Sequence, residues 1–245
     1  MSIAVDQVRT IGFIGSGRIG TAVARRALAA GYEVVLSNSR GPETLTGLVS
    51  ELTSEHGEGA RAGTTTDAAA ADVVVVTIPL HAYAEVPADA LEGRVVLDTL
   101  NYYPDRDGRV EALDEERATT SGLLQGHLAD AHVVKAFNTI HSDAIGALAR
   151  PTGSDDRSAL PIFGEDFAAK DVATAVLDRL GFDVVDGGGL AESWRAENGR
   201  PAYALPYATD GDIEDPSPAG RDEIADLLAA AGERKAEPFT FVAPE

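Results

Sequence analysis

The order of hydrophobic and polar positions along the chain predicts strands that alternate with helices. Short apolar runs indicate strands at residues 10–14, 33–36, 61–62, 72–78, 94–97 and 132–136. The segments between them carry apolar side chains at helical spacing, such as Leu45, Leu48 and Leu52, and Pro42 suits the first turn of that helix. The β-branched run at 72–78 is typical of a strand covered on both faces, so the alternation predicts a parallel sheet built from βαβ units.

After residue 140 the pattern changes. One more strand–helix–strand unit is predicted at residues 160–163, 166–180 and 182–185. We therefore predict an α/β fold with a doubly wound, mostly parallel sheet. The first domain would span residues 1–140. A small C-terminal α/β lobe at residues 141–245 would pack on it, and the two can also be counted as one domain.

A glycine-rich loop follows the first predicted strand and precedes the first predicted helix. Its residues are Gly15, Ser16, Gly17, Arg18, Ile19 and Gly20. In such a GxGxxG loop the first glycine makes a tight turn, the second lets a pyrophosphate approach, and the third lets helix pack on strand. The helix N-terminus offers free N–H groups to the phosphates. This context favours a dinucleotide site over a glycine turn in a non-binding α/β fold. We therefore predict that residues 1–140 form a dinucleotide-binding domain of the NAD(P)-binding Rossmann type.

The residues after the second strand indicate which dinucleotide binds. NAD sites usually carry an acidic residue about 20 positions beyond the first glycine, where it bonds the ribose hydroxyls. This chain instead has Ser37, Asn38, Ser39 and Arg40. Hydroxyl donors and a guanidinium suit a 2′-phosphate. We therefore predict NADP(H) as the cofactor, with an ordinary polar loop as the alternative.

Polar residues also follow the later strands, at the edge of an open α/β sheet where ligands bind. The candidates on the cofactor side are Thr77, Ile78, Pro79, His81 and Asn138. The candidates on the substrate side are Asn101, Tyr102, Arg106 and Lys135. Structural alternatives stay open for these: a turn with packed tyrosines, a carboxylate partner for Lys135, and a solvated or capping role for His81. Near the C-terminus, Tyr203 and Tyr207 either cover the cleft or pack as ordinary aromatics.

Composition narrows the classes of function. The 245 residues include no cysteine, which excludes disulfides, thiol catalysis and cysteine-ligated zinc. The net charge of −20 repels nucleic acid and anionic membrane surfaces, so neither is expected as a partner. No apolar run is long enough for a bilayer and no signal peptide is evident, so a cytoplasmic location is expected. We expect a small-molecule redox acceptor as partner. If the chain associates with itself, we expect a homodimer.

Taken together, these motifs resemble the NADP oxidoreductase family typified by NADPH-dependent coenzyme F420 reductase. The resemblance rests on the glycine loop, the Ser39–Arg40 pair, and residues 77–79 and 137–140. The stretches at residues 101–108 and 190–195 resemble bacterial relatives of that family, and 101–108 departs from the archaeal F420 enzymes. The family likeness implies that Ser16, Arg18 and Ile19 line the pyrophosphate, Ser39 and Arg40 hold the 2′-phosphate, and Ile78, Pro79 and His81 border the nicotinamide.

The resemblance implies hydride transfer between NADPH and a 5-deazaflavin, coenzyme F420, or a related acceptor. Both rings carry the chemistry themselves, so no catalytic residue and no metal ligand is predicted. One alternative is an NADPH-dependent reductase of a small imine or carbonyl, which needs a proton donor. Its candidates are Tyr102, Tyr103, Lys135 and His141. The other alternative is a non-catalytic NADPH-binding module.

Overall fold

A computed structural model of the chain describes residues 5–233, so residues 1–4 and 234–245 of the two predicted domains lie outside the described range. The strands are β1 (Thr10–Ile14), β2 (Glu33–Ser37), β3 (Ala60–Ala62), β4 (Val73–Val76), β5 (Val95–Asp98), β6 (His132–Lys135), β7 (Ala159–Gly164), β8 (Asp183–Asp186), β9 (Ala208–Thr209) and β10 (Asp212–Pro216). The helices are α1 (Arg18–Ala29), α2 (Thr46–His56), α3 (Thr65–Ala69), α4 (Pro104–Asp107), α5 (Glu111–Asp114), α6 (Thr120–His127), α7 (Ser142–Leu148), α8 (Phe167–Leu180) and α9 (Arg221–Ala229). Short 3₁₀ helices lie at Val5–Gln7, Pro42–Leu45, Leu80–Glu85, Ala88–Leu91, Leu190–Ala196 and Leu205–Tyr207.

Eight strands form one sheet in the order β3-β2-β1-β4-β5-β6-β7-β8. The first six are parallel to their neighbours and follow the 3-2-1-4-5-6 order of a dinucleotide-binding sheet. This confirms the predicted fold class. The register aligns Ser37, Ile14, Val76, Asp98 and Lys135 across neighbouring strands. The carboxyl ends of β2, β1, β4, β5 and β6 therefore meet at one edge, from which the loops carrying the candidate residues leave the sheet.

The unit predicted after residue 140 extends the same sheet. Strand β7 pairs with β6 in the antiparallel direction, and β8 then pairs with β7 in the parallel direction. Helix α8 connects them; it begins where the Asp166 side chain accepts a hydrogen bond from Ala169 N, and it ends at Gly181 with φ of 108°. The strands β9 and β10 form a separate two-stranded ribbon.

The core of the sheet is mainly apolar, although Ser37, Asp98 and Lys135 are buried at the carboxyl ends of their strands. All four valines of β4 are fully buried, as expected for a central strand covered by helices on both faces. At Gly12 in β1, an added Cβ would lie 1.9 Å from the Ala68 carbonyl oxygen, so helix α3 packs directly on the strand backbone. Within residues 5–233, no helix is both long and apolar enough to cross a membrane.

Candidate functional site

Two adjoining cavities lie at the carboxyl edge of the sheet. The larger, about 1000 Å³, is bounded by the glycine loop and the loop after β2. The smaller, about 410 Å³, is bounded by the loops after β5 and β6 and by Tyr203. Gly17, Thr77, Ile78 and Pro79 line both, so the cavities form one continuous cleft. Its volume suits a small organic ligand.

The three glycines of the loop have different structural reasons to be glycine. Gly15 has φ of 111°, and a Cβ there would lie 2.2 Å from the Thr77 carbonyl oxygen. A Cβ at Gly20 would lie 2.6 Å from the Gly15 carbonyl oxygen. Gly17 has φ of −75°, which any residue can adopt, and a Cβ there would meet no atom within 4 Å. The fold therefore needs Gly15 and Gly20, whereas the absent side chain of Gly17 leaves room in the cleft.

The loop after β2 is held by its own hydrogen bonds. The Asn38 side chain accepts a bond of 2.9 Å from Arg40 N and donates one of 3.0 Å to Thr44 Oγ1. Asn38, Ser39 and Arg40 all line the larger cavity. Within the described part of the chain, the Arg40 guanidinium forms no ion pair or hydrogen bond. Asn38 thus orders the loop, and Arg40 is a cation available to a ligand.

Ser37 does not have the predicted role. Its side chain is fully buried at the end of β2, and its hydroxyl donates to the Phe13 carbonyl oxygen at 2.8 Å. The prediction that this hydroxyl binds cofactor is wrong, because the strand points the side chain into the sheet. The Ser37 carbonyl oxygen instead accepts a 3.1 Å bond from Gly15 N and ties the glycine loop to β2.

The smaller cavity has an aromatic and polar wall. Tyr103 and Tyr203 line it, and their hydroxyl groups are hydrogen-bonded to each other. The Arg106 guanidinium lies 4.8 Å from the centre of the Tyr103 ring. Asn101 donates to the Asn138 carbonyl oxygen at 2.8 Å, which joins the loops after β5 and β6. The buried Asn138 Oδ1 accepts no hydrogen bond from residues 5–233, although Asn138 lines the cavity.

An ion-paired bridge connects the loops after β4 and β5. The Asp107 carboxylate is buried and accepts bonds from Arg106 Nε at 2.9 Å and Tyr103 N at 2.9 Å. His81 Nδ1 lies 3.2 Å from the same carboxylate. Burial opposes ionisation of Asp107, but the bonds from Arg106 and Tyr103 N and the Arg106 charge outweigh it and lower the pKa of Asp107 to about 2. His81 therefore faces a permanent anion while lining the larger cavity.

Two predicted substrate residues lie outside the cleft. Lys135 Nζ is fully buried and donates to Leu100 O at 2.9 Å, Thr120 Oγ1 at 2.7 Å and Ser121 Oγ at 3.1 Å, with Asp98 Oδ2 at 3.7 Å. The expectation that Lys135 neutralises a ligand anion is wrong, because the end of β6 directs it into the core.

The prediction that Tyr102 contacts the substrate is also wrong. Its hydroxyl donates to Asp114 Oδ1 at 2.9 Å and accepts from Val110 N at 2.9 Å, and it lines neither cavity. Burial raises the pKa of Tyr102, which keeps the phenol protonated in this structural role. The neighbouring Tyr103 points into the cavity instead.

The remaining predicted residues lie in the cleft, and their contacts with a ligand stay predictions. The residues placed there are Gly15, Ser16, Gly17, Arg18, Ile19, Asn38, Ser39, Arg40, Thr77, Ile78, Pro79, His81, Asn101, Arg106 and Asn138. Gly20 lines neither cavity and packs against Gly15 and Thr77. Sequence reasoning missed Thr64, Thr65 and Glu85, which line the larger cavity. No sequence motif marked these three residues. Thr64 precedes α3, Thr65 is its first residue, and Glu85 is the last residue of a 3₁₀ helix.

Comparison with known proteins finds one matching family and several solved structures of similar fold. Residues 10–102 match the family described as NADP oxidoreductase, coenzyme F420-dependent, which confirms the resemblance over that segment. Among curated proteins, no sequence matches this chain significantly. A crystal structure of a hypothetical protein from Sinorhizobium meliloti is 29% identical, with a TM-score of 0.69 over 82% of this chain and 95% of that chain.

Two further solved structures share the fold. A candidate F420-dependent NADP reductase from Arthrobacter sp. FB24 is 24% identical, with a TM-score of 0.61 over 75% of this chain and 86% of that chain. A pyrroline-5-carboxylate reductase from Coxiella burnetii is 18% identical, with a TM-score of 0.50 over 78% of this chain and 64% of that chain. At these identities the likeness establishes the Rossmann-type fold alone.

Proposed function

We propose that this chain is an NADPH-dependent reductase whose larger cavity holds the adenosine end of the cofactor and whose smaller cavity holds the nicotinamide and the acceptor. The observation that carries the proposal is the continuous cleft, with a free cation at one end and an aromatic wall at the other. The match of residues 10–102 to an NADP oxidoreductase family supports the same assignment.

The residues of the larger cavity fit NADP(H). The space left by Gly17 lies at the N-terminus of α1, where backbone N–H groups favour phosphate oxygens. Arg40, whose guanidinium has no partner among residues 5–233, lies beside Ser39 in this cavity, and the two supply a donor set that suits a 2′-phosphate. In a chain of net charge −20, a local cation is needed to hold such an anion. We assign Ser39 and Arg40 to the 2′-phosphate and Ser16 to Ile19 to the pyrophosphate.

The bound cofactor would supply a hydride, and the chain's own residues would orient the two rings. Pro79 limits the backbone freedom of the loop after β4, which lies between the cavities. The hydrogen bonds between Asn101 and Asn138 would hold the loops after β5 and β6 together along the smaller cavity. The His81–Asp107–Arg106 bridge would hold the loops after β4 and β5 at a fixed separation.

The acceptor we propose first is a 5-deazaflavin, coenzyme F420. Its support is the description of the matching family, together with the name given to the Arthrobacter structure. The aromatic wall of Tyr103 and Tyr203 suits a planar ring, and Arg106 is 43% exposed beside it. Arg106 is then the cation for the anionic tail of that coenzyme, a role in which the buried Lys135 has no part.

A second candidate is an acceptor with a small C=N or C=O group. Such a reduction needs a proton donor beside the new C–H bond. The hydrogen-bonded hydroxyl pair of Tyr103 and Tyr203 is the observation that favours this candidate. The chain also shares its fold with the pyrroline-5-carboxylate reductase.

The test is an assay of NADPH oxidation with coenzyme F420, free flavins and pyrroline-5-carboxylate side by side. Turnover of F420 would support the first acceptor, and turnover of the imine alone would support the second. Tight NADPH binding without turnover of any acceptor would contradict the reductase proposal. An Arg106→Ala variant should raise KM for F420 and leave KM for NADPH nearly unchanged.

A further inference from the structure

The Tyr103–Tyr203 pair has one proton more than its own hydrogen bond uses. Each phenol has one O–H donor, and the bond between the two hydroxyls uses one of them. Within residues 5–233, neither hydroxyl has another hydrogen-bond partner. Both side chains line the smaller cavity. The remaining O–H is thus free to serve a ligand in that cavity.

The backbone beside Tyr203 adopts a costly conformation. Ala204 has φ of 58° and ψ of −55°, and Leu205 N donates to the Tyr203 carbonyl oxygen at 2.7 Å. These angles define the rare γ-turn with positive φ, which is strained for an alanine. Ala204 N donates to the Thr139 carbonyl oxygen at 2.9 Å, which fixes the turn to the loop after β6. The fold maintains this strain at the residue that follows the cavity tyrosine, a pattern common at functional sites.

The charge of Arg106 favours proton donation from the pair, whereas burial opposes it. Burial, followed by the hydrogen bond with Tyr103, raises the pKa of Tyr203 and makes its hydroxyl a weaker acid, and the Arg106 charge acts in the opposite direction. The Arg106 guanidinium over the Tyr103 ring would stabilise negative charge left on the pair after a proton leaves. Arg106 is itself held by the buried Asp107 carboxylate, so its position over the ring is fixed.

We propose that the Tyr103–Tyr203 pair is the general acid of the reductase, a role that rests on the proposed function. The acceptor carbon gains the hydride supplied by NADPH, and the electron pair of the hydride forms the new C–H bond. The π electrons of the acceptor move to its nitrogen or oxygen. That atom takes the free phenolic proton as the O–H bond breaks, and water returns a proton to the phenolate. The pair therefore requires an acceptor that becomes basic at a heteroatom when reduced.

The experiment compares Tyr103→Phe, Tyr203→Phe and the double variant in single-turnover oxidation of NADPH. The acceptor is whichever of coenzyme F420 or pyrroline-5-carboxylate the wild type reduces. The double variant has neither phenol, so loss of the acid should slow the step about 10²-fold or more. Each single variant keeps one phenol with a free O–H and should be slowed less than the double variant. The wild type should also show a solvent deuterium isotope effect that the double variant loses.

Two controls separate proton transfer from structure. Tyr102→Phe removes a neighbouring phenol that bonds to Asp114 outside the cleft, and its rate should match the wild type. All rates are compared at saturating NADPH, because both phenols line the cavity assigned to the nicotinamide and their loss can change the Kd for NADPH.

An unchanged rate in the double variant, with an active wild type, would overturn the assignment of the acid and leave the reductase proposal intact. A slower double variant without any solvent isotope effect in the wild type would also overturn it. An inactive wild type with every acceptor would overturn both proposals.

Discussion

Replacing the buried Lys135 should destabilise the fold rather than weaken ligand binding. Its ammonium makes three hydrogen bonds of 2.7–3.1 Å and lies 3.7 Å from the buried Asp98 carboxylate. Summing those bonds at about 1.5–3 kcal/mol each would overshoot, because burying the ammonium itself costs several kcal/mol. Lys135→Met leaves Asp98 as an uncompensated buried charge, a change that costs about 3–5 kcal/mol of unfolding free energy.

Urea denaturation measures that loss, and Lys170→Met is the matched control. Lys170 pairs with Asp186 at 2.8 Å, but the partner side chain is 52% exposed, so about 1 kcal/mol or less should be lost. The double variant Lys135→Met/Asp98→Asn should recover part of the loss. Folded Lys135→Met should bind NADPH within a factor of about two of the wild type. A stability loss below about 1 kcal/mol, or a large loss of NADPH affinity, would refute this placement of Lys135.

Two further predictions concern the glycine loop and the buried Asp107 carboxylate. Gly17→Val should keep the circular dichroism spectrum and lose NADPH binding, because its side chain enters the space left for the pyrophosphate. Gly20→Ala is its contrast: a Cβ 2.6 Å from the Gly15 carbonyl oxygen should cost roughly 1–3 kcal/mol of stability in urea. Retained NADPH affinity in folded Gly17→Val would contradict this view of the loop. Asp107→Asn should lose about 2 kcal/mol at neutral pH, because the pKa of Asp107 falls from 3.8 to about 2 on folding. That stability is present above the unfolded pKa and is lost as pH falls from about 4 to about 2, so the two proteins should converge there. A difference that persists at the lowest pH would contradict the ionic role of Asp107.

The parallel sheet and glycine loop could be predicted because their signals are local. Apolar runs, helical spacing and the glycines of one short loop each reflect interactions between near neighbours in sequence. The local pattern could not show which of Ser37 and Ser39 has its hydroxyl in the cleft. The end of β2 turns one hydroxyl into the sheet, so the residue at which the strand stops decides which serine faces the cleft.

The roles of the tyrosine pair and of Lys135 could not be predicted from the sequence, because they depend on tertiary structure. Tyr103 and Tyr203 are one hundred positions apart, and their hydroxyls meet in the folded chain beside the strained turn at Ala204. Lysine is rarely fully buried, so its sequence position at a strand end favoured a ligand contact. The neighbouring Asp98, Thr120 and Ser121 side chains make burial possible, and they come together only when α6 packs on the sheet.

The central claim is that Arg40 selects NADPH at the end of β2, and calorimetric titration tests it directly. The wild type should bind NADPH more tightly than NADH. Arg40→Ala should lose about 1.5–3 kcal/mol of NADPH binding, the range for hydrogen bonds to charged groups, and little for NADH. Equal affinity of the wild type for both cofactors, or equal losses for both in Arg40→Ala, would contradict the account.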